Sequence, residues 1–150
     1  MDREYPEYAI AAVGAVLIKD GMILLIKRGY PPREGFWAIP GGAIEAGETI
    51  YDAAKRELEE ETGLLAEPLG VIAISQAIFR ENYRIRFHYI IIDVLFNQDT
   101  IKGSLKPGGD AIDVAWIPLE EVLSRDDVTI TTKRLVRNIV EKGIKVIDIV

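Results

Sequence analysis

The apolar positions of this chain follow two periods in turn. Ala9–Ile18 is an uncharged run rich in alanine, valine and isoleucine, and Met22–Lys27 resumes it after the turn signal Asp20–Gly21. Such runs read as buried strands, here as a hairpin or two adjacent strands. Gly29–Phe36 carries Pro31, Pro32 and Gly35 and is expected to be a loop, since proline suits neither a helix interior nor a central strand. Trp37–Ile39 reads as a short strand ending at Pro40, with Gly41 and Gly42 directly after it.

The period changes at Thr49. Ile50, Ala54 and Leu58 recur every four residues, the spacing of one helix face. Thr49 can cap this helix, Asp52 stands three residues later, and Gly63 marks its end. Leu69–Ala77 and Arg84–Phe96 return to strand, the second with Ile85, Phe87, Tyr89, Ile91 and Val94. Asn97–Gln98–Asp99 reads as a turn, and residues 101–111, with Gly103, Pro107, Gly108 and Gly109, as a loop. Asp113–Ile117 is a strand anchored by Trp116, and Pro118 opens a short helical turn over Leu119–Leu123. A second long helix is expected over Ile130–Lys142, with Leu135, Val136 and Ile139 on its apolar side and Gly143 at its end. The apolar tail Ile144–Val150 suits a strand or a subunit interface. The sum is an α/β chain, a mixed sheet flanked by at least two helices. No Gly-x-Gly-x-x-Gly follows the first strand, which argues against a dinucleotide-binding Rossmann unit.

Composition narrows the chemistry. At 150 residues the chain suits one domain, 1–150, and its 49% hydrophobic content can build a core. With 24 acidic against 18 basic residues the net charge is −6, which argues against a nucleic-acid partner. A phosphorylated ligand would then need a metal or a local group of arginines. There are 0 cysteines and the one histidine is His88, so disulfides, thiol nucleophiles, iron–sulfur clusters and multi-histidine zinc are excluded. The acidic start Met1–Glu7 is unlike a signal peptide, and Tyr8–Ile18 is too short to span a bilayer. A cytoplasmic location away from membranes is the expectation.

The densest chemistry lies between Gly42 and Leu64. Glu57, Glu60 and Glu61 stand at i, i+3 and i+4 of the expected helix, and Glu48 precedes it. Glu59, Glu60 and Glu61 crowd a helix C-terminus, where negative charge opposes the dipole. Glutamates in this spacing also line ordinary solvated helices. The other reading is a bound cation. Oxygen donors without cysteine or histidine favour Mg²⁺ or Mn²⁺. Arg56 can hold one carboxylate through two parallel bonds, and a backbone carbonyl at Gly41 or Gly42 can add another oxygen.

The stretch GAIEAGETIYDAAKRELEEETGL resembles the signature of the Nudix hydrolases, G-x5-E-x7-R-E-U-x-E-E-x-G-U, with U a bulky aliphatic residue. Gly42, Glu48, Arg56, Glu57, Leu58, Glu60, Glu61, Gly63 and Leu64 match every fixed position. The resemblance implies an α/β/α sandwich with a central mixed sheet. It implies hydrolysis of a nucleoside diphosphate linked to another group, with Gly41, Glu57, Glu60 and Glu61 holding Mg²⁺ or Mn²⁺. Arg56 would brace the glutamates, and Glu48 would assist. Glu60 would bind metal or orient a water. The general base would be Glu57 or an acid of a later loop. Asp110 is the candidate there, ahead of Asp99, although a turn-forming aspartate suits that loop slightly better than a catalytic one. Phosphate-facing arginines would lie outside the signature: Arg28 and Arg33 beside the proline loop, and Arg80, Arg84 and Arg86 further on. Arg84 and Arg86 alternate with Ile85 and Phe87, which sets both on one side of a strand, and a solvated strand edge suits each arginine alone at least as well. Tyr30, Phe36 and Trp37 could stack a base, although the core is the commoner place for such a tryptophan. His88 suits packing or one hydrogen bond.

Arg28–Gly29–Tyr30–Pro31–Pro32, Gly35–Phe36–Trp37–Ala38–Ile39–Pro40–Gly41–Gly42 and Gly109–Asp110–Ala111 with Val114–Ala115–Trp116 resemble short microbial ADP-ribose pyrophosphatases. That implies cleavage of ADP-ribose to AMP and ribose 5-phosphate by a protein able to form a homodimer. Many such enzymes carry a proline downstream of the signature where this chain has Ile78–Phe79–Arg80. A housecleaning nucleoside triphosphate pyrophosphatase is the near alternative, and an inactive nucleotide-binding module the distant one.

Overall fold

The computed structural model describes residues 3–150. In chain order the strands are β1 (Ile10–Val16), β2 (Ile18–Lys19), β3 (Met22–Arg28), β4 (Trp37–Ala38), β5 (Gly41–Ala43), β6 (Leu64–Leu65), β7 (Pro68–Glu81), β8 (Arg84–Phe96), β9 (Lys102–Gly103) and β10 (Ala111–Pro118). The helices are α1 (Ile50–Thr62), α2 (Leu119–Ser124) and α3 (Ile130–Lys142), with a single 3₁₀ turn at Gln98–Thr100. One sheet has the order β5-β1-β8-β7, and β1 runs parallel to β8 while its other neighbour is antiparallel. A second has the order β10-β3-β2, with β4 also on β3, and β6 pairs with β9.

The strands at the centre are apolar on both faces, which is why they read as unbroken hydrophobic runs. Val13, Ala15 and Leu17, with Leu24, Val94 and Phe96, point toward Ala53, Ala54 and Leu58 of α1. Their neighbours Val16, Ile23, Leu25 and Leu95 point the other way, toward Val122 of α2 and Leu135, Val136 and Ile139 of α3. Alternation of side chains along each strand thus feeds two cores, one beneath each helical layer. This is the expected α/β/α sandwich.

β1 and β3 do not form the simple hairpin that was one of the two readings of Ala9–Lys27. The chain changes sheet at Leu17, whose carbonyl accepts from the Leu24 N–H at 3.0 Å. β1 is drawn to β8, which offers it seven paired positions, and only the two residues of β2 turn back on β3. β7 also runs past Ala77 to Glu81. It joins β8 through Asn82 and Tyr83, both at positive φ (51° and 64°), a two-residue turn that the sequence does not announce because it lacks glycine.

α1 follows its sequence signals closely. The Thr49 hydroxyl accepts from the Asp52 N–H at 3.1 Å, and Gly63 closes the helix at φ 76°. The tail meets β7 at one point, where Val71 and Ile147 exchange backbone hydrogen bonds at 3.1 and 2.9 Å. Among the described residues no helix is long and apolar enough to cross a membrane.

Candidate active site

The last turn of α1 leaves its carbonyls without intrahelical partners, and no basic side chain stands there. The loop before β10 supplies donors. Lys106 N–H bonds the Thr62 carbonyl at 2.9 Å, and Gly108 N–H bonds that of Glu61 at 3.3 Å. Asp110 is thereby brought beside the end of α1. The Gly29 N–H donates to the Asp110 carbonyl at 2.9 Å, which ties the same loop to the end of β3.

Arg56 organises the carboxylates. Its Nε and Nη2 grip both oxygens of Glu48 at 2.7 and 2.9 Å, and Nη2 also reaches the Ala43 carbonyl at 3.1 Å. Nη1 bonds Glu57 at 2.7 Å and Glu60 at 3.4 Å. Bonding to this guanidinium holds the Glu48 carboxyl down at about 2, and Glu48 in turn holds Arg56 charged. Glu57 sits so close over Gly42 that a Cβ there would fall 2.5 Å from its Oε1. Only glycine admits that approach.

The three glutamates of the helix face divide. Glu61 is buried, Glu57 is half-buried and Glu60 is exposed. Burial pushes the Glu61 carboxyl up to about 8, against the pull of the Gly41 N–H that it accepts at 2.7 Å. Burial also raises Glu57, opposed by Arg56. These are carboxyls whose ionised form lacks full compensation.

Two concavities meet here. A basin is lined by Glu57, Glu60, Glu61 and Asp110, with Arg3 and Arg56 as its basic members. A longer cleft runs from Glu61 and Asp110 past Arg28, Arg33, Phe79 and Tyr89 to Ser75, Asp93 and the start of α3. Arg28 is held by a 2.7 Å bond from its Nε to the Pro32 carbonyl, and its burial lowers its pKa. The Arg33 guanidinium lies 5.8 Å from the Phe36 ring centre and 5.7 Å from that of Phe79.

Residues 9–139 match the NUDIX domain model. The chain belongs to the Nudix family. Over 111 residues the Nudix chain is 38% identical to an ADP-ribose pyrophosphatase of Methanocaldococcus jannaschii, covering 74% of the chain and 63% of that relative. It is 31% identical over 127 residues to the nucleoside triphosphatase NudI of an Enterobacter species, covering 74% and 83%. The solved MutT Nudix hydrolase of Burkholderia pseudomallei matches with a TM-score of 0.76 at 26% identity, covering 87% of the chain and 98% of that structure. The chain spans less than two thirds of the first relative and 32–40% of three further ones.

Nudix hydrolases generally need divalent metal ions. Among the described residues no three acidic side chains converge as a ready-made metal shell. Glu57 is turned onto Arg56 and Glu61 onto the Gly41 N–H. The donor chemistry nevertheless fits a hard divalent cation, with oxygen donors only and two carboxyls, one buried and one half-buried, each raised in pKa by its burial.

The structure brings together Gly41, Arg56, Glu57, Glu60, Glu61 and Asp110, and sets Arg28 and Arg33 in the adjoining cleft. Arg80, Arg84 and Arg86 are not among the residues lining either concavity. Arg84 lies over the Tyr5 ring at 4.0 Å, and Arg86 pairs with Glu4 at 2.9 Å and Glu81 at 3.0 Å. Asp99 lies in the 3₁₀ turn, away from both concavities. His88 faces Ile78 across β7–β8, and Trp37 is buried in the core. Arg3, Ser75 and Asp93 escaped the sequence reading. An acid inside the apolar run Ile90–Phe96 was the available signal for Asp93, whereas nothing local marks Arg3.

Proposed function

We propose that this chain hydrolyses the pyrophosphate linkage of a nucleoside diphosphate derivative in a reaction dependent on Mg²⁺ or Mn²⁺, with ADP-ribose as substrate and AMP and ribose 5-phosphate as products. One observation carries the reading: a basin lined by Glu57, Glu60, Glu61 and Asp110 opens into a cleft that has Arg28 and Arg33 on its wall. That pairing suits a diphosphate lying across the junction. The 38% identical relative, named as an ADP-ribose pyrophosphatase, supports the substrate.

Glu57, Glu60 and Glu61, with the Gly41 carbonyl, would hold the cation. When bound, it lowers the pKa of water and offsets charge on the phosphoryl oxygens. Arg56 fixes Glu57 and Glu60 while Glu48 holds Arg56. Arg28 and Arg33 bind phosphate oxygens and orient phosphorus for in-line attack by water. Asp110 takes the proton of that water as the bridging P–O bond breaks and its electrons leave with the departing phosphate. The reading includes a cytoplasmic setting and a homodimer as the assembly to look for.

The test is a panel of ADP-ribose, sugar nucleotides, dinucleoside polyphosphates and nucleoside triphosphates, each assayed with Mg²⁺ and with Mn²⁺. AMP and ribose 5-phosphate are the expected products. Pyrophosphate and a nucleoside monophosphate would instead favour the triphosphate reading, which the NudI relative supports. Turnover of none of them, with binding intact, would leave a nucleotide-binding module.

A further inference from the structure

The segment before β1 lies against the turn end of the β7–β8 hairpin and is fastened there by three contacts. The Tyr5 N–H donates to the Arg86 carbonyl at 2.8 Å. Arg86 Nη2 donates to Glu4 Oε1 at 2.9 Å. The Arg84 guanidinium lies 4.0 Å from the Tyr5 ring centre, a cation–π contact. The next residue toward the start of the chain is Arg3, whose side chain lines both the acidic basin and the cleft.

Arg3 differs from the other basic residue of the basin. Every nitrogen of Arg56 is already bonded to Glu48, Glu57, Glu60 or Ala43. Among the described residues Arg3 makes one looser ion pair, Nη1 to Asp110 Oδ2 at 3.5 Å, with both side chains about half exposed (46% and 51%). Pairs of that kind hold weakly in water. A diphosphate offers more charge and pairs of oxygens spaced for the guanidinium fork, so it competes well for the same side chain.

We propose that Arg3 is a diphosphate-binding residue, delivered to the junction of basin and cleft by the N-terminal segment, and that Arg84 and Arg86 are positioning residues acting through it. The proposal rests on the reading that a diphosphate lies across that junction. It gives a role to two arginines that the sequence suggested as phosphate ligands and that the structure sets outside both concavities. It also has a consequence for Asp110: a phosphate that takes Arg3 releases the Asp110 carboxylate, so binding and exposure of the acid are coupled.

The experiment measures ADP, inorganic pyrophosphate and adenosine binding by calorimetry, with and without Mg²⁺, alongside KM and kcat for ADP-ribose. The variants are Arg3→Ala, Arg3→Lys, Arg86→Ala and the double Arg3→Ala/Arg86→Ala. Arg3→Ala is expected to weaken ADP and pyrophosphate roughly tenfold, the size of one charge-assisted hydrogen bond, and to leave adenosine unchanged. Arg3→Lys should restore part of the loss. Arg86→Ala should weaken ADP several-fold alone and add nothing in the Arg3→Ala background. ADP binding to Arg3→Ala at parental strength overturns the proposal, as does a parent that binds neither ADP nor pyrophosphate. An Arg86→Ala effect that persists in full without Arg3 overturns the positioning role. Arg3-dependent ADP binding without ADP-ribose turnover leaves this inference standing and removes the proposed substrate. Turnover with KM indifferent to Arg3 does the reverse.

Discussion

The Gly41 N–H donates to Glu61 Oε1 across 2.7 Å, joining the strand before α1 to that helix's last turn. The bond fixes a buried carboxyl at the junction of basin and cleft. Glu61→Gln keeps an oxygen for the Gly41 N–H but removes the charge a cation needs. Turnover should fall by at least about 100-fold, the scale of losing one charge-stabilising group. Far-UV circular dichroism should match the parent. Glu57→Gln should behave alike, and chelation by EDTA should abolish parental turnover until Mg²⁺ or Mn²⁺ is restored. Near-parental rates in both variants would refute the site.

Arg56 bonds three glutamates and one backbone carbonyl through a planar fork that lysine cannot reproduce. Arg56→Lys keeps the charge and loses the geometry. Metal affinity, read by calorimetric titration, should drop about 10–100-fold, as for other groups that orient ligands. An unchanged titration would mean that Arg56 does not set the carboxylates.

Gly42 faces the Glu57 carboxylate with no room for a methyl group. In Gly42→Ala the carboxylate must move while strand and helix remain. The expected signature is a roughly tenfold or larger fall in turnover with a melting temperature within a few degrees of the parent, since small displacements near reacting groups cost rate steeply. Full activity in Gly42→Ala would show that Glu57 can move without consequence.

Asp93 is fully buried on β8 and accepts from Ser75 Oγ at 2.6 Å, and among the described residues its Oδ1 has no hydrogen-bond partner. Burial pushes its pKa up to about 7. Between roughly pH 4 and that value the folded chain keeps a proton that the unfolded chain has lost. The Asp93 contribution to stability therefore falls as pH rises through this window, and the full cost is present above it. Asp93→Asn carries no such term. Urea unfolding should show the variant gaining on the parent from pH 4 to pH 8, by up to about 4 kcal/mol. A difference that stays flat with pH would mean that Asp93 ionises at its ordinary value.

Much of the site was legible because it is local. Thr49, Asp52 and Gly63 mark the ends of α1 through contacts within a few residues, and Glu57 and Glu61 share a side of the helix through its period alone. Glu60 shows where periodicity stops. It belongs to the same spacing, yet the sheet covers Glu61 and leaves Glu60 exposed. Arg84 and Arg86 show the same limit on a strand. Their alternation was visible, but which segment would lie against them was not.

The order of residues alone determined the helices, the glycine stops, the doubly apolar strands and the Gly42–Leu64 signature, because each depends on neighbours close along the chain. Only the tertiary structure decided that β1 leaves β3 for β8, that Asp110 meets the end of α1, and that Arg3 reaches the basin from over 50 positions before Glu57. Those pairings arise between segments far apart in sequence. They are selected by the burial and hydrogen bonding that the whole fold can satisfy at once, which no local pattern encodes.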